Sequence, residues 1–444
     1  MKNSQTSTLL KNKFTFPILD FLETDIEITE NPYQLPLEEL FTMAARINKK
    51  RSFLFVSKVL GKHLPIQPNK GLLTGALLAA RYIEKVKNIE CLEKDRLLPS
   101  FFMDKPSFYS HSFISKNSNP IIIGFAETAT ALGHAFFDCF QSADYFHTTR
   151  EELCDREPEI TFEEEHSHAT AHRCYIPKQM IKNNREIILV DDEMTTGKTA
   201  LNIIQSIHHK FPRDVYTVVS ILDWRSEDNK HEFIHLEKKL GITIHVVCLL
   251  AGQVQVKQLK EIKERLTENE DTETAVLSVE SLQLSAFFTA VPLADQVPYI
   301  EETGRFGLRS EANQAIQEKI SAAASFLRQR RNGVKTLCLG TGECMYLPMK
   351  LSAEMGSGVH YQSTTRSPIF IEDKEGYGAR YGISFINPED QTTSNFVYNI
   401  PPCHYDELFV FFEREVDFKN LDPFLRKLEK MQLKSVKLVF FSKR

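Results

Sequence analysis

One short stretch, residues 186–199, constrains the fold of this chain more than any other, and it reads EIILVDDEMTTGKT. The apolar run IILV is typical of a parallel strand that is buried on both faces. Asp191 and Asp192 follow at the carboxyl end of that run, and a turn rich in Thr and Gly leads into the helical pattern ALNIIQSIHH. Hydroxyls and free backbone N–H groups at a helix N-terminus suit an anion. The order therefore predicts a strand–loop–helix unit for a ligand that carries both a diol and a phosphate.

A Walker A loop is the obvious alternative, because Gly197, Lys198 and Thr199 read GKT. That motif requires a glycine five residues before its second glycine, and Asp192 stands at that position. The two acids would also repel a triphosphate. The sequence therefore excludes a Walker A loop.

The stretch instead resembles the phosphoribosyl-diphosphate (PRPP) signature of type I phosphoribosyltransferases, in which a hydrophobic strand and two acids precede TTGKT. The resemblance implies that Asp191 and Asp192 hold the ribose 2′ and 3′ hydroxyls and, through water, a Mg²⁺ ion. It also implies that a loop holds the 5′-phosphate. That loop comprises Thr195, Thr196, Gly197, Lys198 and Thr199. A buried strand with a surface turn would explain the apolar run, but not two acids beside an anion site.

Composition limits the partners and the compartment. At 444 residues the chain is long enough for two or three domains with a large core. A net charge of −5 argues against broad coating of nucleic acid, so no nucleic-acid partner is expected. Eight cysteines without a CxxC pair indicate reduced thiols. Because no apolar signal core and no run of membrane-spanning length occur, we expect a cytoplasmic protein without a membrane partner.

The strand–loop–helix order recurs along the chain. Buried strands are predicted at 120–125, 215–224 and 242–250, and helices at 37–46 and 71–87. This alternation indicates an α/β fold with a parallel sheet and flanking helices.

A change in composition marks the predicted domain boundary. Residues 258–275 are rich in charge and are predicted to form a solvated helix and linker. The predicted division is 1–255 for a first domain with an N-terminal arm, 256–284 for the linker, and 285–444 for a second α/β domain.

A second motif, GFAETATALG at 124–133, lies between a predicted strand and a predicted helix. Small residues before a helix are common, so this pattern alone is weak. In type I phosphoribosyltransferases, however, the first core strand ends in a diphosphate-binding loop. The resemblance therefore implies that backbone N–H groups here bind the diphosphate. The residues concerned are Glu127, Thr128, Ala129 and Thr130.

Between the two motifs lies a stretch crowded with charge and histidine, FEEEHSHATAHRCYIP at 162–177. Histidines are metal ligands by type, but HxHxxxH without cysteine matches no structural zinc spacing. A solvated charged hairpin is a further alternative. The position corresponds to the mobile catalytic loop of type I phosphoribosyltransferases. The resemblance thus implies a loop that closes over PRPP, excludes water and brings His166, His168 and Arg173 to the diphosphate.

Further segments sharpen the resemblance. FLFVSKVLGKHLP stands at 53–65, and TRSP stands at 365–368. With the motifs above, these segments resemble an orotate-phosphoribosyltransferase-like family that is fused to a C-terminal domain named for the Thr-Arg-Ser-Pro motif. ETGRFGL, LGTGECMYLP and EGYGARYG also look like that second domain, so the resemblance covers nearly the whole chain. In bacteria such fusions are associated with tellurium-resistance and stress-response gene clusters.

The second domain has two candidate anion-binding motifs of its own. The first follows a predicted strand and opens a predicted helix, which suits phosphate. It comprises Thr341, Gly342 and Glu343. The second combines hydroxyls with a guanidinium suited to bidentate anion recognition. It comprises Thr364, Thr365, Arg366 and Ser367. Turn chemistry with a surface arginine explains either motif alone, but together they favour a nucleotide or phosphorylated-metabolite site in the second domain.

The resemblance therefore implies a type I phosphoribosyltransferase fold followed by a second α/β domain. It implies an enzyme that moves a 5-phosphoribosyl group between diphosphate and a nitrogenous base or nucleoside-like acceptor. PRPP is the expected substrate and Mg²⁺ the expected cofactor, and a homodimer is left open. Two alternatives remain: a catalytically silent PRPP-sensing regulator, and a partner-binding component of a stress-response system. The sequence does not name the acceptor.

Overall fold

The structure is a computed structural model, and it describes residues 12–47, 52–106, 111–163, 171–260, 277–294 and 296–443. The elements of the first part of the chain are, in order, β1 (Lys13–Ile18), β2 (Leu22–Glu30), α1 (Leu37–Leu40), β3 (Phe41–Ala45), β4 (Phe53–Ser57), α2 (Pro68–Val86), α3 (Lys94–Phe102), β5 (Ile121–Gly124), α4 (Ala129–Phe137), β6 (Asp144–His147), β7 (Ile160–Glu163), β8 (Ala171–Cys174), α5 (Lys178–Ile181), β9 (Ile187–Met194), α6 (Lys198–Lys210), β10 (Val215–Asp223), α7 (Glu227–Leu240) and β11 (Thr243–Gln258). Those of the second part are β12 (Ser278–Gln283), β13 (Ala290–Leu293), β14 (Gln296–Ile300), a 3₁₀ turn (Glu301–Thr303), β15 (Leu308–Arg309), α8 (Ser310–Arg328), β16 (Thr336–Gly340), α9 (Tyr346–Glu354), β17 (Val359–Ser363), β18 (Gly382–Ile386), β19 (Ser394–Tyr398), β20 (Glu407–Phe412), α10 (Phe418–Glu429) and β21 (Ser435–Phe440).

The first sheet places the strand of the acid motif near its centre. The strand order is β1-β2-β11-β10-β9-β5-β6-β15. The five strands from β11 to β6 run parallel, whereas β1, β2 and β15 pair antiparallel at the two edges. Because the carboxyl ends of parallel strands meet at one edge of a sheet, the acids on β9 and the loop after β5 lie at the same edge.

Helices cover both faces of this sheet, which explains the uninterrupted apolar run in β9. Ile188 and Val190 pack into a core with apolar residues of α2 and α4. Ile187 and Leu189 point to the other face and pack with apolar residues of α6 and α7. Successive side chains of a strand alternate between faces, so a strand covered on both faces is apolar at every position. The predicted α/β sheet with flanking helices is confirmed.

A second sheet follows in the order β12-β21-β20-β16-β17, and it is parallel throughout. One face packs against apolar residues of α10. The other face contributes Cys338, Phe409 and Phe411 to the same core that contains α2 and α4. The predicted second α/β unit is therefore confirmed, and the two units share one hydrophobic core.

The predicted helix at 37–46 is wrong beyond its first turn. α1 ends at Leu40, and the next five residues form β3, which pairs antiparallel with β4. The carbonyl oxygens of Met43 and Ala45 accept hydrogen bonds from the backbone N–H groups of Gly378 and Phe370, at 2.9 and 3.0 Å. Pairing with distant residues therefore overrides the local helical spacing.

The interval predicted as a linker, 256–284, contains regular structure at both ends. β11 runs to Gln258, and β12 begins at Ser278. The predicted charged helix falls largely on 261–276, which lie outside the described residues. The proposed division into domains stays a prediction.

No helix in the described part of the chain combines the length and the apolar character that crossing a membrane requires.

Candidate active site

A cavity of about 730 Å³ lies at the carboxyl edge of the first sheet. The end of β9, the loop before α6, the loop after β5 and the segment that contains β4 all line it. The second half of the chain contributes Thr365, Arg366 and Ser367 to the same wall. Motifs that the sequence assigned to two separate domains therefore meet in one cavity.

The acid pair lies on the wall of this cavity. Asp191 and Asp192 are partly exposed and line the cavity together with Glu193. The backbone N–H of Asp192 donates a hydrogen bond to Oδ1 of Asp191, 2.9 Å away. Carboxylates accept hydrogen bonds from hydroxyls and attract cations. The structure thus places the pair where a diol or a hydrated cation in the cavity can reach it.

The loop after the acid pair turns sharply into α6. Four of its five predicted residues line the cavity: Thr195, Thr196, Gly197 and Thr199. The fifth, Lys198, begins α6, and its N–H donates to Oγ1 of Thr196 at 3.3 Å. Gly197 has a φ of +77°, and a Cβ there would lie 2.6 Å from Cε2 of Phe233, so the turn requires glycine. The N-terminus of a 13-residue helix therefore faces the cavity, as an anion site requires.

The loop after β5 forms another wall. Its lining residues are Phe125, Ala126, Glu127 and Thr128. The Ala126–Glu127 peptide bond is cis, and the N–H of Ala126 donates to Oγ1 of Thr148 at 2.9 Å. Ala129 and Thr130, which were also predicted for this loop, are instead buried in α4. Oγ1 of Thr130 donates to the carbonyl oxygen of Glu127 at 3.1 Å, and this hydrogen bond ties the loop to α4.

Cationic side chains surround the carboxylate of this loop. Nε of Arg366 lies 3.6 Å from Oε1 of Glu127, and Nζ of Lys62 donates to Oγ1 of Thr128. Glu127 is only 5% exposed. Burial raises the pKa of its carboxyl, and the charges of Arg366, Arg150 and Lys62 oppose that rise. The loop therefore lies in a region of concentrated positive charge.

Several residues that line this cavity were not predicted from the sequence. Lys62 and His63 lie in the segment 53–65 that carries part of the family resemblance, but no role was predicted for them. Arg46 and Arg150 also line the cavity. A single Arg or Lys has no spacing pattern of its own. The segment 53–65 was therefore the one indication in the sequence that Lys62 and His63 belong to the site.

The Thr-Arg-Ser-Pro motif reaches the cavity because the first unit holds it there. The N–H of Ser363, at the end of β17, donates to the carbonyl oxygen of Gly61 at 2.6 Å. The guanidinium of Arg46 donates to Oγ of Ser367 at 3.3 Å. Thr364 is buried, and its Oγ1 accepts the N–H of Gly342 at 3.3 Å. The motif therefore lines a cavity that both units share, and the nucleotide or phosphorylated-metabolite site expected for it stays a prediction.

The other predicted motif of the second domain has protein partners. Glu343 is buried, lies 2.6 Å from Arg305, and accepts the N–H of Arg150 at 2.8 Å. Burial raises the pKa of its carboxyl, but the charge of Arg305 and the hydrogen bonds that the carboxylate accepts together outweigh that effect, so the pKa lies well below its usual range. Oγ1 of Thr341 donates to a carbonyl oxygen of β20 at 2.9 Å. These protein contacts do not support the phosphate site expected at Thr341, Gly342 and Glu343, which stays a prediction.

The predicted catalytic loop is described only at its base, where β7 and β8 pair antiparallel. His166 and His168 lie outside the described residues. Arg173, on β8, donates to Oε2 of Glu152 at 3.2 Å and to the carbonyl oxygen of Arg150 at 3.3 Å. Its guanidinium is thus held by protein groups and is not among those lining the cavity.

Within the described residues, no group of three or more His, Cys, Asp or Glu side chains is arranged to hold a metal ion by itself. Mg²⁺ in phosphate-binding enzymes is usually held by one or two carboxylates, by water and by the phosphates of the substrate. Asp191 and Asp192 offer that type of ligand on the cavity wall. These residues therefore fit a Mg²⁺ ion that is shared with a phosphorylated ligand.

Comparison with protein-family models matches both halves of the chain. Residues 40–253 match a model described as a phosphoribosyl transferase, and residues 302–428 match the TRSP domain found C-terminal to that transferase. Together the two matched regions contain the residues described above as lining the cavity. A comparison with curated proteins finds no match.

Solved structures similar to this chain are also phosphoribosyltransferases. Adenine phosphoribosyl transferase from Trypanosoma brucei, in complex with AMP, pyrophosphate and ribose-5-phosphate, is 11% identical. That match covers 54% of this chain and 87% of that one, with a TM-score of 0.31. The adenine enzyme from Rhodothermus marinus is 12% identical. That match covers 48% of this chain and 95% of that one, with a TM-score of 0.28. The orotate enzyme from Mycobacterium tuberculosis is 11% identical. That match covers 48% of this chain and 90% of that one, with a TM-score of 0.24. At such low identities and TM-scores these likenesses support no inference about a ligand.

Proposed function

Because the chain belongs to the family in which a phosphoribosyl transferase domain precedes a TRSP domain, we propose that it is a PRPP-dependent transferase. It moves a 5-phosphoribosyl group between diphosphate and a nitrogenous base or nucleoside-like acceptor. One observation carries this proposal: the acid pair, the loop before α6 and the loop after β5 line the same cavity. PRPP has a ribose diol, a 5′-phosphate and a diphosphate, so each wall has a chemical counterpart in the ligand.

Each wall suits one part of PRPP. Asp191 and Asp192 accept hydrogen bonds from the ribose hydroxyls, and they would hold the Mg²⁺ ion that accompanies the diphosphate. The Thr-rich loop and the N-terminus of α6 bind the 5′-phosphate through hydroxyls, N–H groups and the helix dipole. The loop after β5, with Lys62 and Arg150 beside it, binds the diphosphate through charge-assisted hydrogen bonds.

An apolar wall remains for the acceptor. Phe53, Leu54 and Phe55 line the cavity. The ring of Phe55 stacks on Trp224, with centroids 4.8 Å apart and planes 17° apart. A fixed aromatic wall favours a flat ring over a flexible chain. This wall supports a heterocyclic acceptor.

The charge that develops during the transfer explains the residue types. Departure of diphosphate from ribose C1 leaves positive charge on the sugar ring and negative charge on the leaving group. Mg²⁺, when bound, neutralises part of that negative charge. Lys62, Arg150 and the N–H groups of the loop after β5 stabilise the rest, and one preorganised donor of this kind changes a rate by ~10²–10³. Asp191 and Asp192 fix the ribose so that C1 faces the acceptor.

Release of diphosphate tests the proposal. The wild-type protein is incubated with PRPP, Mg²⁺ and a panel of nitrogenous bases and nucleoside-like acceptors, and diphosphate is measured. We expect acceptor-dependent release from the wild type and none when Asp191 and Asp192 are both replaced by Asn. Failure of the wild type to bind PRPP in a calorimetric titration would overturn the proposal.

A PRPP sensor without turnover is the second candidate, and Glu127 favours it. Glu127 is a buried carboxylate in the loop assigned to the diphosphate. Its negative charge would repel the charge that builds up on the diphosphate as it leaves, which disfavours turnover. Binding of PRPP without release of diphosphate for every acceptor tested would support a sensor over an enzyme.

A further inference from the structure

Arg366 and Glu127 face each other across the boundary between the two units. Both line the cavity, and Nε of Arg366 lies 3.6 Å from Oε1 of Glu127. That distance is longer than a hydrogen bond. Both atoms are buried, and neither has a hydrogen-bond partner among the described residues. The site therefore holds a guanidinium nitrogen and a carboxylate oxygen whose hydrogen-bonding capacity is not used.

The local balance of charge favours an anion at this point. Lys62, Arg150 and Arg366 act electrostatically on the carboxylate of Glu127, and the buried carboxylate of Glu343 acts on it in the opposite sense. The carboxylate of Asp390 also senses Arg366. It accepts hydrogen bonds from the hydroxyls of Thr392 and Thr393, 2.6 Å each. Because Glu343 already pairs with Arg305 at 2.6 Å, three cations around Glu127 leave an excess of positive charge, which suits a ligand group with several negative charges.

The backbone around Arg366 is fixed, while its side chain is 27% exposed. Thr365 and Phe396 exchange two backbone hydrogen bonds, at 3.0 and 2.7 Å. The N–H of Ser367 donates to Oγ1 of Thr365 at 3.2 Å. A guanidinium on a fixed backbone is preorganised for a bidentate contact, and only its side chain has to rotate.

We propose that Arg366 turns from Glu127 to the diphosphate group of PRPP and binds it through two parallel hydrogen bonds. The second unit would thereby supply a catalytic residue to the cavity of the first. Glu127 acts as a positioning residue that holds Arg366 beside the loop while the diphosphate is absent. This inference rests on the proposed function, and it also explains how a loop containing a buried carboxylate accepts a diphosphate.

Calorimetric titrations of three ligands into the full chain, each with Mg²⁺, distinguish a failure of this inference from a failure of the proposed function. The ligands are PRPP, inorganic diphosphate and ribose 5-phosphate. Arg366→Ala should weaken the binding of PRPP and of diphosphate at least ~10-fold, because charge-assisted hydrogen bonds to the group are lost. Ribose 5-phosphate lacks the diphosphate, so its affinity should stay within about twofold of wild type. Arg366→Lys should restore the affinity only in part, since an ammonium keeps the charge but not the planar fork.

Arg380→Ala is the matched control, because Arg380 is an exposed arginine of the second unit that pairs with Asp373. It should leave all three affinities unchanged. Glu127→Gln should tighten diphosphate binding, since it removes one negative charge while keeping the shape. Wild-type affinity for diphosphate and PRPP in folded Arg366→Ala would overturn this inference and leave the proposed function standing. If the wild type binds neither PRPP nor ribose 5-phosphate, both are overturned.

Discussion

Asp191 and Asp192 are the residues on which the ribose end of the proposed site depends. We predict that replacing both with Asn lowers the affinity for PRPP at least ~100-fold, because two charge-assisted hydrogen bonds contribute ~1.5–3 kcal/mol each. Both side chains are partly exposed, so the fold should remain intact. Calorimetry with Mg²⁺ measures the affinity, and Asp228→Asn, an exposed acid on α7, is the control. Equal affinity in the folded double variant would remove the pair from the binding site.

Gly197 is the residue on which the shape of the phosphate loop depends. Gly197→Ala should cost about 1–2 kcal/mol for its left-handed backbone and a further ~1–3 kcal/mol for the clash with Phe233. Gly241→Ala is the matched control, because Gly241 has a φ of +67° but no atom within 4 Å of its would-be Cβ. Urea unfolding should therefore show a larger loss of unfolding free energy for Gly197→Ala than for Gly241→Ala. Only Gly197→Ala should also lose affinity for PRPP. Equal losses of unfolding free energy in the two variants would mean that the contact with Phe233 adds nothing to the cost of the substitution.

Site residues were predictable from the sequence where one contiguous loop binds one part of a ligand. Asp191 and Thr196 are of this kind, since strand, acids and turn follow one another in the chain. Lys62 and Arg150 reach the same cavity from separate elements, and a lone basic residue has no recognisable spacing. Arg366 was predicted to bind an anion, but its proximity to Glu127 depends on how the two units pack.

At the scale of elements, α4 carries a buried histidine against helices of the second unit. Nε2 of His134 lies 2.8 Å from Oδ1 of Asn313, and its ring stacks on Tyr346 with centroids 3.7 Å apart. Burial lowers the pKa of His134 to about 4, although Asp138 opposes that shift. Between that value and the ordinary pKa of 6.5, the unfolded chain binds a proton that the native protein does not. This histidine therefore makes stability rise with pH within that window.

We predict that His134→Gln flattens the pH dependence of the unfolding free energy by up to ~1.4 kcal/mol per pH unit within this window. The comparison is with wild type, because Glu389, whose pKa burial raises to about 7, acts in the opposite sense in both proteins. Urea unfolding at about pH 7 and about pH 5 measures the difference. Parallel pH profiles for wild type and variant would contradict the assignment to His134.

Elements with local signals were predicted well, and those set by distant pairing were not. The apolar run of β9 indicates its strand directly, because both faces of the sheet are covered. β3 has helical spacing but forms a strand, because its carbonyl groups pair with Gly378 and Phe370. β15 consists of only Leu308 and Arg309, yet it pairs with β6 at the edge of the first sheet. Two residues are too few for any periodic pattern.

At the scale of the whole molecule, Arg305 joins the two units. It is 1% exposed and lies 2.6 Å from Glu343 and 3.0 Å from Glu413, both in the second unit. Its guanidinium also lies 3.4 Å from the carboxylate of Glu151 in the first unit. We predict that Arg305→Ala destabilises the protein by ~3–5 kcal/mol, because Glu343 and Glu413 lose their buried counter-charge. Arg426→Ala, which breaks an exposed pair with Asp422, should cost less than ~1 kcal/mol.

The fluorescence of Trp224, the single tryptophan of the chain, reports this effect in the first unit. Because the two units share one core, its unfolding midpoint should fall in Arg305→Ala together with the far-ultraviolet circular dichroism. A fluorescence midpoint that stays at the wild-type value would show that the units unfold independently. The sequence indicated two α/β units but not this shared core, since the second sheet and α2 meet only in the folded molecule.

A crystal structure of the full chain soaked with PRPP and Mg²⁺ would show whether one cavity, formed by both units, binds PRPP. We expect the ribose hydroxyls at Asp191 and Asp192, the 5′-phosphate at the N-terminus of α6, and the diphosphate between the loop after β5 and Arg366. PRPP bound outside this cavity, or bound in it with the phosphate and diphosphate ends reversed, would show that these walls do not bind the groups proposed for them.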